Sequence, residues 1–410
     1  MNTAVFVILA SVFLEYGDLQ EKPPPKPPQA PEQEASPVQT EAPPPLPPPP
    51  PPGLLPLAPI SEIDTAGTPL GPPLFHEGAL IVASQDGAVE AFLAETGEFL
   101  WKLGFPEEEL LSPRPMADRV LLSLRSGTLI IAAPANGEIL QELGTPSPID
   151  IPPLPDGNVF FLASPEGVIT AYDSQSEQVI WETPTNEQAS SLAKGGDLLM
   201  VSGNEMTLTA IDTKNGQIRW TIRGRGGFKA PVVFDTKAER LYVGDLAGTF
   251  YAVSAKNGKV NYRWETGGSI ASPVLLEGKT VYVVSYANTL FAYRTGNGHE
   301  LWRINLPGRP ASGPVRAGVR LVVATYDGHV VEIDPTQGRR STQPYTAPDS
   351  IRAHPSFSPP HAALTLYRGR ILLLSTEQPV PEPPPVELEG PPRPPPKKDT
   401  ETPKRRPPHH

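Results

Sequence analysis

The chain has 410 residues, 56 of them proline, no cysteine and a formal net charge of −11. That balance argues against broad nucleic-acid binding, which needs cations facing the phosphate backbone, and an acidic surface favours solubility. Without cysteine there is no disulfide framework, no thiolate nucleophile, no cysteine-ligated metal and no lipid-modified cysteine, a usage that fits an oxidising compartment.

In chain order, Met1 to Leu14 is an apolar run too short to span a bilayer comfortably and of the length of a signal-peptide core. A positive n-region is missing and Glu15 follows at once. Residues 1–20 are expected to be an export signal or, if uncleaved, a membrane anchor, which puts the protein in the periplasm or cell envelope. Residues 21–59 read as a proline-rich linker, with Pro47 to Pro52 favouring extended polyproline II. At the other end, 379–410 reads as a proline-rich disordered tail that ends in basic residues such as Lys404, Arg405 and Arg406.

Between these ends, 60–378 consists of short apolar runs rich in Val, Ile, Leu, Tyr and Phe, punctuated by Gly, Asn and Asp, the pattern of an all-β fold. One unit repeats: an apolar run, a tight turn, a second run, a turn at glycine, and a strand carrying tryptophan. Five copies end at Trp101, Trp181, Trp220, Trp264 and Trp302, and degenerate copies end at Gln141 and Ser341. The first turns align at Gly87, Gly127, Gly167, Met206, Gly248, Asn288, Gly328 and Gly369, with spacings of 40, 40, 39, 42, 40, 40 and 41. A repeat of that length with four short antiparallel strands is a propeller blade, and eight fill the stretch. The eighth runs into prolines before its fourth strand, so Ile60 to Gly67 is expected to supply that strand and close the ring.

The pattern Ala-x-Asp-x-x-x-Gly-x-x-x-Trp, seen at Ala210 to Trp220, resembles the tryptophan-docking motif of the quinoprotein (PQQ-like) repeat propellers, a family of quinone dehydrogenases and non-catalytic relatives. The resemblance implies that Trp101, Trp181, Trp220, Trp264 and Trp302 pack between neighbouring blades. It also implies, for the dehydrogenases, a vicinal cysteine pair, a catalytic aspartate and Glu/Asn/Asp calcium ligands. The cysteines are absent, and the one carboxylate run in an inserted loop, Glu107 to Glu109, reads as a solvated connection. No catalytic, cofactor-binding or metal residue is therefore assigned, and no cofactor is expected. In size and lack of catalytic apparatus the core is similar to the BamB family, propeller lipoproteins of bacterial outer-membrane protein assembly. That resemblance implies a monomeric, non-enzymatic scaffold with a protein partner in the envelope. The chain departs from the family in lacking a lipobox cysteine and in its proline-rich ends. A quinone-dependent oxidoreductase, or its degenerate relative, and a tethered ligand-sensing propeller stand as alternatives.

Binding residues in propellers gather on loops at one face. The inter-blade loops here carry Arg223, Arg225, Lys229, Arg309 and Arg352, candidate contacts for a carboxylate-bearing partner. Resemblance to the BamB family, whose partner docks on an inter-blade loop with an arginine, points to Arg223 or Arg225. His76, His299, His329, His354 and His361 lack metal-ligand spacing. Gly224-x-Gly-Gly has no helix after it to aim at a phosphate.

Overall fold

The structure, a computed structural model, describes residues 57–341 and 344–376. The signal or anchor reading of 1–20, the linker up to residue 56 and the tail from residue 379 lie outside the described residues.

Eight separate four-stranded antiparallel sheets are formed. Blade 1 comprises Leu74–His76, Ala79–Ala83, Ala88–Leu93 and Phe99–Gly104, and the same order recurs through blade 7, which ends with Tyr345–Thr346. The last blade is composite. It combines Ser356–Ser358, His361–Thr365 and Arg370–Ser375 with Ala58–Asp64 from the start of the described residues. These two segments pair from Ala58 with Ser375 to Asp64 with Arg370. The closing strand begins two residues earlier than the sequence suggests, and a bulge at Ile60 follows Pro59, which has no N–H to give the ladder.

Alternation explains the core. Strand residues facing sideways are apolar because each blade is covered by a neighbour on both faces. Eight buried clusters result among the described residues, each shared by two successive blades. The cluster of Ile63, Leu80, Val82, Phe92, Ala363, Ile371 and Leu373 joins the last blade to the first, so the ring is closed by packing as well as by hydrogen bonds.

The motif alanine and tryptophan prove to be cross-strand partners. Ala91 pairs with Trp101, Ala171 with Trp181, Ala210 with Trp220 and Ala292 with Trp302, each time beside a bulge in the outer strand. The bulge re-aims the indole sideways, and its Nε1 donates to a carbonyl of the next blade: Trp101 to Pro134 at 2.7 Å, Trp181 to Thr213 at 2.9 Å, Trp220 to Ala255 at 2.8 Å and Trp302 to Pro335 at 3.1 Å. Each ring lies against a turn glycine, where a Cβ on Gly137 would stand 2.7 Å from Trp101.

Trp264 departs from this pattern. In its blade the alanine, Ala252, pairs with Tyr262. It is Tyr262 that covers Gly298 and donates from its hydroxyl to the Thr295 carbonyl at 3.1 Å. Trp264, two residues on, is 42% exposed and stacks on Tyr293 of the next blade, with ring centroids 6.1 Å apart. Tyr262 therefore takes the glycine-covering position in this blade, and Trp264 packs on the next blade through Tyr293. The register is set by the four-residue step from the turn glycine, and Trp264 is six residues past Gly258.

Candidate functional site

The turns between second and third strands hold the first-turn residues in left-handed backbone, from Gly87 at φ 81° through Met206 at 91° and Asn288 at 59° to Gly369 at 80°. Each inter-blade loop starts by donating to that turn, as Phe105 does to Gly87, Thr145 to Gly127, Leu306 to Asn288 and Ala347 to Gly328, all at 2.8 Å. Inter-blade loops and these turns thus share one face of the ring, and all five candidate cations lie on it.

They do not form one cluster. On blades 4 and 5, the loop Gly224 to Phe228 is pinned by Asp245, a fully buried carboxylate that accepts from the amides of Arg225 (3.0 Å), Gly226 (3.1 Å) and Thr249 (2.8 Å) and from the Tyr251 hydroxyl (2.8 Å). Phe228 anchors the same loop inside the core. Gly226 allows the loop to touch blade 5, since a Cβ there would lie 2.5 Å from the Ala247 nitrogen. This glycine run is a close-packed loop, with the amides of Gly224, Arg225, Gly226 and Phe228 bonded inside the protein. Arg225 is exposed and ion-paired with Glu265. Arg223 reaches the Met206 sulfur at 3.9 Å. It also faces Glu187, whose carboxyl is pushed up by burial against the pull of the Glu205 and Thr207 amides. Lys229 is exposed.

Blades 6 to 8 are different. The residue that opens the second-to-third-strand turn is Tyr286 in blade 6, Tyr326 in blade 7 and Tyr367 in blade 8. Its position is fixed by the preceding loop: Tyr286 N donates to Ser269 at 2.9 Å, Tyr326 N to Arg309 at 2.9 Å and Tyr367 N to Ser350 at 3.0 Å. Arg309 lies over the Tyr286 ring at 4.4 Å and the Tyr326 ring at 5.9 Å. Arg352 lies over Tyr367 at 4.6 Å, and Arg368 approaches the same ring at 5.7 Å. Burial, then the neighbouring Tyr326 hydroxyl, push the Tyr286 phenol above its usual range. These tyrosines were missed from sequence, although they stand two residues before Asn288, Gly328 and Gly369 and so share one column of the repeat.

The turns on the opposite face leave a cleft of about 500 Å³ between blades 4 and 5, where Asp197, Asp212, Asp235 and Glu239 meet Arg219 and Lys256. A hydrogen bond from Arg219 holds the Asp212 carboxyl below its usual range. The donor set does not fit a quinone and calcium: cysteine is absent, and among the described residues no group of three or more His, Asp or Glu is placed to hold a metal ion. Glu109 of the acidic run is exposed and pairs with Arg125 at 3.0 Å.

Fold and repeat together define an eight-bladed propeller of PQQ-like repeats with a loop-bearing face. The model of the family described as outer membrane protein assembly factor BamB matches residues 62–221, 143–265 and 223–378, and the chain belongs to that family. Outer membrane protein assembly factor BamB of Legionella pneumophila (strain Paris) is 26% identical over 216 residues, which cover 52% of this chain and 47% of that protein. The namesake from Taylorella asinigenitalis (strain MCE3) is 30% identical over 190 residues, covering 44% and 48%. The chain thus spans about half the length of these relatives. Among solved structures, BamB from Moraxella catarrhalis superposes with a TM-score of 0.62 at 18% identity, over 78% of this chain and 99% of that one. The computationally designed protein Ika8 does so with 0.67 at 14% identity and the same coverage. At these identities the likeness is one of fold.

Proposed function

We propose that this chain is a non-catalytic, protein-binding propeller of the bacterial cell envelope whose loop face receives a partner in outer-membrane protein assembly. Family membership supports the setting, since the relatives carry that assembly role in their names. The observation that carries the reading is the row Tyr286, Tyr326 and Tyr367 with Arg309 and Arg352 stacked on it. Tyrosine and arginine dominate binding energy at protein interfaces because they bring large contact area with little entropy to lose and end in polar groups. The four-stranded sheets of blades 6 to 8 beneath hold this row in place.

The test is affinity capture from envelope fractions with the full chain, comparing wild type, Tyr326→Ser, and Arg219→Glu on the opposite face. Tyr326→Ser is expected to lose partners that wild type and Arg219→Glu retain. Equal capture by all three overturns the reading, as does a rise in melting temperature when pyrroloquinoline quinone and calcium are added.

A further inference from the structure

Several arginines on the described surface are ion-paired: Arg125 with Glu109 and Asp150, Arg225 with Glu265, Arg316 with Glu277, Arg370 with Glu62 and Asp349. Arg309, Arg352 and Arg368 are not. Their neighbours are tyrosine rings, and no carboxylate among the described residues pairs with them. In a chain of net charge −11, Arg309 and Arg352 on successive inter-blade loops and Arg368 on the blade 8 turn carry no paired carboxylate among the described residues and lie against tyrosine rings.

We infer that this arc is a docking track for an extended acidic peptide segment of a partner protein. The inference deepens the proposed function and rests on it. A ring under a guanidinium occupies one of its faces and fixes its plane, while the N–H edge stays open for a bidentate carboxylate. Because Arg309 contacts both Tyr286 and Tyr326, those rings lie no more than about 10 Å apart, roughly three residues of extended chain. The cations fall at two stations, Arg309 between Tyr286 and Tyr326, and Arg352 with Arg368 at Tyr367. A single phosphate would require all three to converge, so two separate stations suit a chain with carboxylates at intervals. A nucleic acid fits less well, since the ring faces on which bases would stack are covered by arginine. Asp64 and Asp349 also line the cleft beside Tyr367 and Arg368 and would repel a uniform polyanion.

The experiment is fluorescence anisotropy on the full chain with a labelled peptide of repeating Glu-Leu-Pro units. Its Gln-Leu-Pro counterpart, phosphatidylglycerol vesicles and a single-stranded oligonucleotide serve as competing probes. The Glu peptide is expected to bind in a salt-sensitive way, and Arg309→Met and Arg352→Met are each expected to weaken it about tenfold with wild-type melting curves. Arg309→Lys, which keeps the charge but loses the planar fork, is expected to fall between. The inference is overturned if the Gln peptide binds equally, if the arginine variants bind like wild type, or if vesicles or oligonucleotide are preferred. Loss of envelope capture by Tyr326→Ser without Glu-peptide binding removes the acidic-peptide chemistry and leaves the loop-face function standing. Peptide binding with capture unchanged removes the loop-face function.

Discussion

Tyr262 covers Gly298 of the next blade as the tryptophans cover their glycines, and its hydroxyl reaches the Thr295 carbonyl of that blade. Gly298 sits at φ 71°, so any side chain there meets both backbone strain and the ring. Tyr262→Ala should therefore cost about 2–3 kcal/mol, by opening a void between blades 5 and 6. Trp264→Ala should cost about 1 kcal/mol, the worth of its stack on Tyr293. Urea unfolding midpoints of the two variants check the ranking.

Ring closure depends on Ala58–Asp64. Deleting it strips the hydrogen bonds from Arg370–Ser375, removes Ile63 from the cluster joining blades 8 and 1, and leaves an open strand edge. The deletion variant should melt well below the full chain and aggregate more readily. Melting like wild type would show that the ring closes without this strand.

On blade 5 two charged neighbours should behave oppositely. Asp245→Ala leaves three amides and the Tyr251 hydroxyl without their acceptor inside the protein, a loss of about 3 kcal/mol. Arg225→Ala breaks an exposed pair with Glu265 and should change stability by less than about 1 kcal/mol. Thermal melts of both variants in one buffer measure the contrast.

His354 enters blade 8 half-buried, with burial pushing its pKa below the usual histidine value and the Pro355 carbonyl 2.9 Å from Nδ1. The unfolded chain then binds the proton more readily, so this group's contribution is whole above about pH 6.5 and is lost as pH falls through the folded value. His354→Asn should flatten the decline in melting temperature between about pH 7 and 5 relative to wild type. An unchanged slope would contradict this.

The repeat was legible because its punctuation is backbone chemistry. Left-handed turns at Gly87 through Gly369 demand Gly, Asn or a tolerated exception such as Met206, and they recur in register. Closure was legible because the eighth unit lacked a strand that Ile60 to Gly67 could supply. The docking position in blade 5 was masked by residue type, since a conspicuous Trp264 drew the alignment from Tyr262, which keeps the four-residue step and the pairing with alanine. The five candidate cations could be placed on one face but not sorted, because whether each meets a carboxylate or a ring is set by contacts between blades. Glu265 is 40 residues from Arg225, and Tyr326 reaches Arg309 only through the preceding loop.

The central claim is that the Tyr286, Tyr326 and Tyr367 row is the partner-binding surface. Site-specific photocrosslinking in intact envelopes tests it most directly, with p-benzoylphenylalanine placed at Tyr326 on the loop face and at Phe99, an exposed apolar residue on the outer edge of blade 1. The prediction is a discrete protein adduct from Tyr326 and none from Phe99. Adducts from Phe99 alone would contradict the account and move the binding surface to the circumference of the ring.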